Sequence, residues 1–302
     1  MDKRTTAITG LALALCLGGC EAAFWKDGFK DNPVVQGPIV APKSTGPEAL
    51  QQLDPSSNTI SSAPPQSAPP AANSPVLTFR RIEAGSGLRG VPPQEKGWRL
   101  GDPWTTYTVG RYWLAVTETT RLQWTALASS AGLSGDANLR PWLLADPLET
   151  AGGASGAGNL PATHLSLALV ESVLGAWNST HPSTRLRLPT AIEWEHACRA
   201  GSQGAYAFAG TDSQAARPYA VVRETRASDG LQVVAGTRTS NSLGLWDMHG
   251  NAWELVQSAN QAELRGGSWQ DNLISARCGN HQQIDRGQPH ALAGVRLVLE
   301  RP

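Results

Sequence analysis

The stretch NSLGLWDMHGNAWEL, residues 241–255, carries the pattern that indicates the fold of the second half of this chain. It contains two of the eleven tryptophans, Trp246 and Trp253, and two of the 31 glycines, Gly244 and Gly250. Phenylalanine and tyrosine contribute only four residues each. A composition rich in tryptophan and glycine is typical of loop-rich domains, in which indole rings cover irregular backbone. We therefore expect most of the tryptophans to fill the core of such a domain.

Three further stretches accompany this one in a fixed order along the chain. They are YWLAVTETTRLQW at 112–124, RLPTAIEWEHACRAGS at 187–202, and LRGGSW at 264–269 followed by GVRLV at 294–298. Together the four stretches resemble the formylglycine-generating-enzyme family, which includes the sulfatase-modifying factors. The resemblance covers roughly residues 77–302. It implies a single domain with a C-type-lectin-like fold and little regular secondary structure.

Residue patterns independently predict an α+β domain. Tyr107–Glu118 is rich in β-formers and predicts a strand. Apolar residues at helical spacing predict helices over Thr120–Ala131 and Ser166–Trp177. The residues Thr190–Glu193 (TAIE) form a capping box, which begins a third helix. Beyond Gly201 the pattern indicates turns and short strands, so helices followed by an irregular half predict the α+β class.

The first nineteen residues predict a lipoprotein signal peptide. A positively charged start precedes the apolar stretch Ile8–Leu17, which is too short to span a bilayer. The small residues before Cys20 resemble the lipobox of bacterial lipoproteins, which implies cleavage before Cys20 and fatty-acyl groups such as palmitate on the new N-terminus. An ordinary signal peptide with an incidental cysteine is the alternative. We expect a lipid-anchored protein of the cell envelope, and Glu21 after the cysteine favours the outer membrane.

Residues 20–76 predict a lipidated cysteine followed by a disordered tether. The stretch Ser62–Pro75 (SAPPQSAPPAANSP) consists mainly of Pro, Ala and Ser. Such a segment buries too little apolar surface to offset its ordering entropy. The short apolar pairs Phe24-Trp25 and Val34-Val35 leave open a small N-terminal subdomain. The folded domain is predicted to span residues 77–302.

The balance of acidic and basic residues limits the classes of molecule that the protein is expected to bind. Lys and Arg total 25, as do Asp and Glu, so the formal net charge is zero. Nothing in this balance favours nucleic acid, which attracts strongly basic proteins. We therefore expect a protein partner in the periplasm or at the cell surface, and a membrane contact only through the lipid anchor.

Cysteine usage predicts one disulfide. Once the signal is removed and Cys20 is lipidated, Cys198 and Cys278 are the cysteines that remain. An exported compartment is oxidising, so this pair is expected to bond. The resemblance implies the same pairing, because the family carries structural cysteines at both positions.

The resemblance also identifies what this chain lacks. Members that make formylglycine carry two copper-binding cysteines, two and seven residues past the aromatic residue of the GGSW element. Counted from Trp269, those positions hold Asp271 and Ala276. Neither residue supplies the thiolate that copper(I) requires. We therefore expect no copper, no catalytic residues of the family type and no formylglycine chemistry.

A calcium site is implied by the resemblance. Its ligands would be the side chains of Asp247 and Glu254 and the carbonyl groups of Gly250 and Ala252. Hard oxygen ligands of this kind suit calcium. The alternative interpretation is that Asp247 forms a turn and Glu254 forms a salt bridge.

Several residues of the four stretches are expected to build the core. Gly266 and Gly267 allow two backbone segments to approach closely. The tryptophans expected to fill the core are Trp194, Trp246, Trp253 and Trp269. Arginine forks can satisfy the carboxylates and carbonyls of an irregular core, so buried charge pairs are also expected. Their expected members are Arg187, Glu193, Glu195, Arg265 and Arg296.

The segment between Trp269 and Gly294 predicts a ligand-facing surface, because it is polar and rich in turns. The candidate ligand residues are Asp271, Asn272, Asn280, His281, Gln283, Asp285 and His290. The favoured function is a non-catalytic binding or regulatory lipoprotein. The resemblance implies a secretion-system accessory protein or a ligand-displaying variable protein.

Two alternatives remain open from the sequence. One is a divergent oxidoreductase with a non-cysteine site at Asp271, His281 and Asp285. The other is a purely structural lipoprotein of the envelope.

Overall fold

A computed structural model provides the structure of the chain. It describes residues 50–57, 59–62, 73–92, 95, 103–134, 137–141, 157–226, 235–257 and 261–300. The signal peptide, Cys20 and the first part of the tether lie outside the described residues, and their assignments stay predictions. Among the helices that the structure describes, none has the length and apolar character needed to cross a bilayer.

Short β-strands carry most of the regular structure. The described residues form twelve, numbered in chain order: β1 (Leu50–Asp54), β2 (Thr59–Ser62), β3 (Leu77–Ile82), β4 (Gly85–Arg89), β5 (Thr105–Val109), β6 (Tyr112–Ala115), β7 (Arg185–Arg187), β8 (Trp253–Val256), β9 (Ala262–Arg265), β10 (His281–Ile284), β11 (Ala293–Val295) and β12 (Val298–Glu300).

The strands form three sheets. The largest has the order β2-β1-β3-β6-β12-β7, and all its neighbours are antiparallel. The second has the order β10-β9-β8-β11, in which β11 runs parallel to β8. A hairpin of β4 and β5 forms the third. Strand β12, the last in the chain, lies between β6 and β7. Strands that are far apart in sequence are therefore neighbours in this sheet.

Three of the four described helices lie where the sequence predicted them, and the third begins at its predicted capping box. The four helices are α1 (Arg121–Ser130), α2 (Leu167–Thr180), α3 (Ala191–Arg199) and α4 (Ser213–Ala216). The Thr190 hydroxyl accepts from the Glu193 amide at 3.2 Å, and the Glu193 carboxylate accepts from the Thr190 amide at 2.8 Å. This is the predicted capping box of α3, and it satisfies two amides that have no partner within the helix. The single strand predicted over Tyr107–Glu118 is instead two strands, β5 and β6.

The main core lies between the largest sheet and helices α1 and α2. Trp124 and Trp177 are fully buried there, and Trp253 joins them from β8. A second cluster surrounds Trp194 on α3. The expectation that Trp269 fills the core is wrong, because its ring is only partly buried and Arg226 lies 5.3 Å from its centroid.

The predicted tether to residue 76 is wrong for the described residues of β1 and β2. Leu53 lies opposite Leu77 of β3 and is fully buried in the main core. Leu50 contacts a separate cluster with Trp246. Residues three apart point to opposite faces of a strand, so β1 is buried on both faces. Two leucines at this spacing in LQQLD give no alternating pattern, which is why the sequence does not indicate a strand.

Replacing Leu53 with alanine should test this correction. We expect Leu53→Ala to lower the free energy of unfolding by about 2–4 kcal/mol, because it opens a cavity in the core. Ser61→Ala, at an exposed position of β2, is the control and should change stability by less than about 0.5 kcal/mol. If both variants change the free energy of unfolding in urea by the same negligible amount, the correction is wrong and β1 belongs to the tether.

Candidate functional site

The predicted disulfide is present, and it joins α3 to the far end of the chain. Cys198 bonds to Cys278, with their Cα atoms 5.6 Å apart and a sequence separation of 80. Both are fully buried. The two cysteines of the described residues thus form a structural cross-link, and neither carries a free thiol.

His249 lies beside the disulfide and is held neutral. Its Nε2 accepts from the Ala207 amide at 3.1 Å, so Nδ1 carries the proton and donates to the Ala276 carbonyl at 2.8 Å. Burial lowers the pKa of His249 to about 4. Cys198, Cys278 and His249 form the one cluster of three soft donors within 4.8 Å among the described residues. It does not fit a metal, because the sulfurs are bonded to each other and both ring nitrogens are occupied.

Asp271 stands at the first position where formylglycine-making members carry a copper ligand, and here it organises a turn. Its Oδ2 accepts from the amide and hydroxyl of Ser268, at 3.1 and 2.5 Å, and from the Trp253 indole at 2.8 Å. The carboxylate therefore ties the GGSW turn to β8. Three donors to one carboxylate oxygen leave little capacity there for a substrate contact.

Ala276 stands at the second such position and is fully buried. It packs against Gly267, whose φ is +73°. A Cβ on Gly267 would lie 3.0 Å from the Ala276 amide nitrogen, so glycine is needed at this approach. This confirms the close backbone approach predicted for the Gly266-Gly267 pair. The position belongs to the packed interior and offers no open site.

Arg296 and Glu254 form a fully buried charge pair at the centre of the domain. Arg296 Nη2 donates to Glu254 Oε1 at 2.7 Å, and its Nε donates to Oε2 at 2.9 Å. The Trp194 indole also donates to Oε2, at 2.6 Å. Further hydrogen bonds from Arg296 reach the carbonyls of Ala115 and Trp246. One guanidinium thus connects β6, β8 and the quoted 241–255 stretch.

The other predicted charge pairs are also present. Arg265 and Arg199 both contact Glu195, at 3.3 and 2.7 Å, and all three residues are buried. Arg187 binds both oxygens of Glu193 at 2.7 Å, next to the cap of α3. These charged side chains serve packing, as the sequence predicted.

The residues expected to bind calcium fit a cation in part. Asp247 has a left-handed backbone with φ of +56° and is 2% exposed. Its Oδ2 accepts from the Gly236 amide, whereas Oδ1 is buried without a hydrogen-bond partner among the described residues. That oxygen could hold a cation. Glu254 differs, because Arg296 and Trp194 already use its four acceptor positions.

Glu118 was missed by the sequence reasoning. It is 1% exposed, and it accepts from the Ala252 amide at 2.8 Å and from the Asn251 side chain at 2.7 Å. Burial, with Asp247 and Glu254 nearby, raises the pKa of Glu118 well above its usual value. Its only sequence signal was a carboxylate three residues after the end of β6. The residue holds the loop that carries the implied calcium carbonyls.

The predicted ligand surface is exposed only in its second half. Asn280 is 5% exposed and donates to the Ser275 carbonyl, so the expectation that it meets a ligand is wrong. Asn272 is half-buried and caps the short helix Leu273–Ala276. Asp271 is held in its turn, as described above. The first half of the predicted ligand surface therefore belongs to the packed interior around the disulfide.

The second half of that segment faces solvent. Gln283 on β10 and Asp285 after it are exposed, and His281 and His290 are half-buried. Burial lowers the pKa of His290, and the nearby Asp271 opposes that shift. In the described sheet, β10 pairs with β9 on one side only. The structure thus leaves a strand edge and the following loop accessible.

The loop after β10 is anchored on helix α2. The Ala168 amide donates to the Arg286 carbonyl at 3.0 Å, and the Arg286 side chain donates to Glu171 at 2.5 Å. The His290 amide donates to the Leu165 carbonyl. The accessible segment 281–291, which we call the β10 surface, is therefore held in a defined position.

The short strands, few helices and buried disulfide of the described domain agree with the C-type-lectin-like fold that the resemblance implied. A family model described as "Sulfatase-modifying factor enzyme 1-like domain" matches residues 65–301. The chain therefore belongs to this family.

Known relatives agree with this assignment. A bovine protein (Bos taurus) named "Inactive C-alpha-formylglycine-generating enzyme 2" is 36% identical over 109 residues. That match covers 32% of this chain and 36% of the relative, so it spans about a third of each.

Two solved structures are similar in fold. PvdO from Pseudomonas aeruginosa has a TM-score of 0.62 at 20% identity, covering 75% of this chain and 95% of PvdO. Treponema denticola variable protein 1 has a TM-score of 0.60 at 18% identity, covering 77% of this chain and 98% of that protein. At these identities the likeness shows the fold alone.

Removing the Asp271 carboxylate should test its structural role. We expect Asp271→Ala to lower the free energy of unfolding by about 2–3 kcal/mol, because three donors lose a charged acceptor. Gln270→Ala, at the exposed neighbouring position, should be neutral. Unchanged stability of Asp271→Ala in denaturant melts would contradict the role and would leave the carboxylate available for another function.

Proposed function

We propose that this protein is a non-catalytic binding or regulatory member of its family. The observation that carries the proposal is that the described domain has no free thiol and no cysteine at the positions of the family's copper ligands. The two cysteines of the described domain bond to each other, and the positions of the family's copper ligands are Asp271 and Ala276. A bovine relative named as inactive supports the same interpretation, although it matches over only 36% of its length.

The proposal favours the β10 surface as the contact with a protein partner. Its outer strand edge carries backbone groups that can pair with an added strand, while side chains such as Gln283 supply specificity. Anchoring on α2 means that little ordering entropy is lost on binding. A secretion-system accessory protein or a ligand-displaying protein would use such a surface.

The divergent-oxidoreductase alternative has less support. It needs Asp271 as a reacting group, and the Oδ2 of that residue is occupied by Ser268 and Trp253. His281 lies on β10, and Asp285 is exposed in the loop that follows. No observation favours a shared reaction centre for the three residues.

Attachment to the envelope is part of the proposal. The lipobox-like sequence before Cys20 supports a lipid anchor, and the residues between Cys20 and β1 would form the spacer, because the Pro-rich stretch connects β2 to β3 of the same sheet. A lipid anchor with a spacer would confine the domain near the membrane and leave the β10 surface free to meet a partner there.

Site-specific crosslinking in intact cells tests the partner proposal. A photo-crosslinking amino acid at position 283 should give a discrete higher-mass product, because this side chain faces solvent on the strand edge. The same amino acid at position 214, exposed on α4, is the matched control. Equal product yields at both positions would contradict a specific surface. Conversion of a peptide cysteine to an aldehyde by the purified protein would contradict the non-catalytic assignment.

We propose in addition that Asp247 binds calcium. Glu118, Asp247 and Glu254 are buried close together, and repulsion from Asp247 and Glu254 adds to burial in raising the pKa of Glu118. Burial raises the pKa of Asp247 to about 6. A cation on its unpartnered oxygen would offset that burial, with the carbonyls of the following loop as further ligands. Glu254 would balance Arg296 instead of serving as a main ligand.

Thermal unfolding with calcium or chelator tests this proposal. Calcium should raise the melting temperature at pH 7, and Asp247→Asn should remove most of that rise. In chelator, protonated Asp247 stabilises the folded state, so its contribution falls as pH rises from about 4 to about 6. The stability difference between wild type and Asp247→Asn should follow that fall. Asp285→Asn is the control, and an unchanged melt in chelator would rule out the site.

A further inference from the structure

The hydrogen bonds of the second sheet determine which side of each strand its backbone groups face. Trp253 of β8 donates its amide to the carbonyl of Leu292, directly before β11, at 2.8 Å. Backbone groups of successive residues in a strand point to alternate sides, so those of Glu254 face β9. There Glu254 lies opposite Arg265. Arg265 therefore turns its backbone groups to β8, and its neighbour Leu264 turns them to β10.

The same alternation leaves Gln283 of β10 facing away from the sheet. Leu264 lies opposite Gln282, so the backbone groups of Gln282 take part in the ladder with β9. The next residue, Gln283, lies opposite Glu263 and turns its N–H and C=O groups to the other side. No described strand pairs with β10 on that side, and the Gln283 side chain is exposed. One backbone donor and one backbone acceptor can therefore pair with an added strand.

Two other sheet edges of the domain are closed by hydrogen bonds. On the outer side of β7, the Leu186 amide donates to the Asn178 side chain at 2.8 Å, and the Leu186 carbonyl accepts from it at 2.9 Å. On the outer side of β11, the Val295 carbonyl accepts from the Thr119 amide at 2.8 Å. Gln283 has no such cap among the described residues. The β10 sequence HQQI also contains no lysine, arginine, carboxylate or proline, which are the residues that protect exposed edges.

The charge beside this edge favours a basic partner. Asp285 directly follows β10 and is exposed, and no cation of the described residues pairs with its carboxylate. The neighbouring Arg286 instead binds Glu171 on α2 at 2.5 Å. The end of β10 therefore presents one carboxylate without an opposite charge beside it. An added strand that carries a lysine or arginine near Asp285 would gain charge complementarity.

We propose that the partner adds an extended, basic segment to the outer edge of β10. The backbone of this segment pairs with the N–H and C=O groups of Gln283, and a lysine or arginine of the segment meets Asp285. Main-chain hydrogen bonds supply the affinity, and the charge selects among partners. This inference rests on the proposed partner function of the β10 surface, and it adds the recognition mode and the charge of the partner segment.

Thermal unfolding of the free protein tests the outward orientation of Gln283. Proline lacks an N–H group and is tolerated in an edge strand where that group would face solvent. Gln283→Pro should change the melting temperature by less than about 3 °C, whereas Gln282→Pro should lower it by at least about 5 °C because a ladder bond with β9 is lost. If the two variants are equally destabilised, the assignment of the outward groups is wrong and the proposal is overturned.

Photo-crosslinking in intact cells tests the backbone contact with the partner. The crosslinking amino acid is placed at position 288, which is exposed on the β10 surface. Gln283→Pro should lower the yield of the crosslinked product at least about tenfold, whereas Gln283→Ala, which keeps the N–H group, should lower it at most about threefold. Equal yields in the two variants would overturn strand addition, although the β10 surface would still bind a partner. If wild type gives no product, this inference and the proposed function are both wrong.

Substitutions at Asp285 test the charge of the partner segment in the same assay. Asp285→Arg should lower the yield at least about fivefold because it places like charges together. Asp285→Glu is the matched variant that keeps the charge, and it should lower the yield at most about twofold. A yield in Asp285→Arg equal to that of wild type would overturn the proposal of a basic segment.

Discussion

The structure depends on the buried pair of Arg296 and Glu254. The guanidinium contacts carbonyl groups of two segments and the carboxylate of a third, and Trp194 completes the acceptor set. Removing one member would leave a buried charge without its partner, which costs about 3–5 kcal/mol. In a domain with such short strands, this pair adds side-chain hydrogen bonds between segments that short backbone ladders also join. The disulfide then fixes α3 against the other half of the domain.

These contacts explain how the chain can keep the family fold without cysteines at the two positions where formylglycine-making members carry their copper ligands. The turn that would present copper ligands is instead closed by Asp271, and its second position is filled by Ala276 under Gly267. Both positions now contribute hydrogen bonds or packing. The fold presents the β10 surface, held on α2, to solvent.

Local chemistry allowed much of this to be predicted from the sequence. The helices that start near Thr120 and Ser166, the capping box at Thr190 and the pair of remaining cysteines follow from local or compositional rules, and the structure contains them. Strand β1 was missed because its burial depends on distant partners.

Long-range contacts also explain the errors at the candidate site. The structural role of Glu118 depends on Asn251 and Ala252, 133 and 134 residues away. The burial of Asn280 likewise follows from packing around the disulfide, and polar composition alone suggested exposure.

The state of the two sulfur atoms tests the central claim most directly. Native protein would be alkylated before digestion, and the peptides containing Cys198 and Cys278 would be analysed by mass spectrometry without reductant. The account predicts one linked pair of peptides with no alkylation at either cysteine. Alkylation of both cysteines in folded protein would contradict this claim, because two free thiols would then lie beside His249 in place of the disulfide.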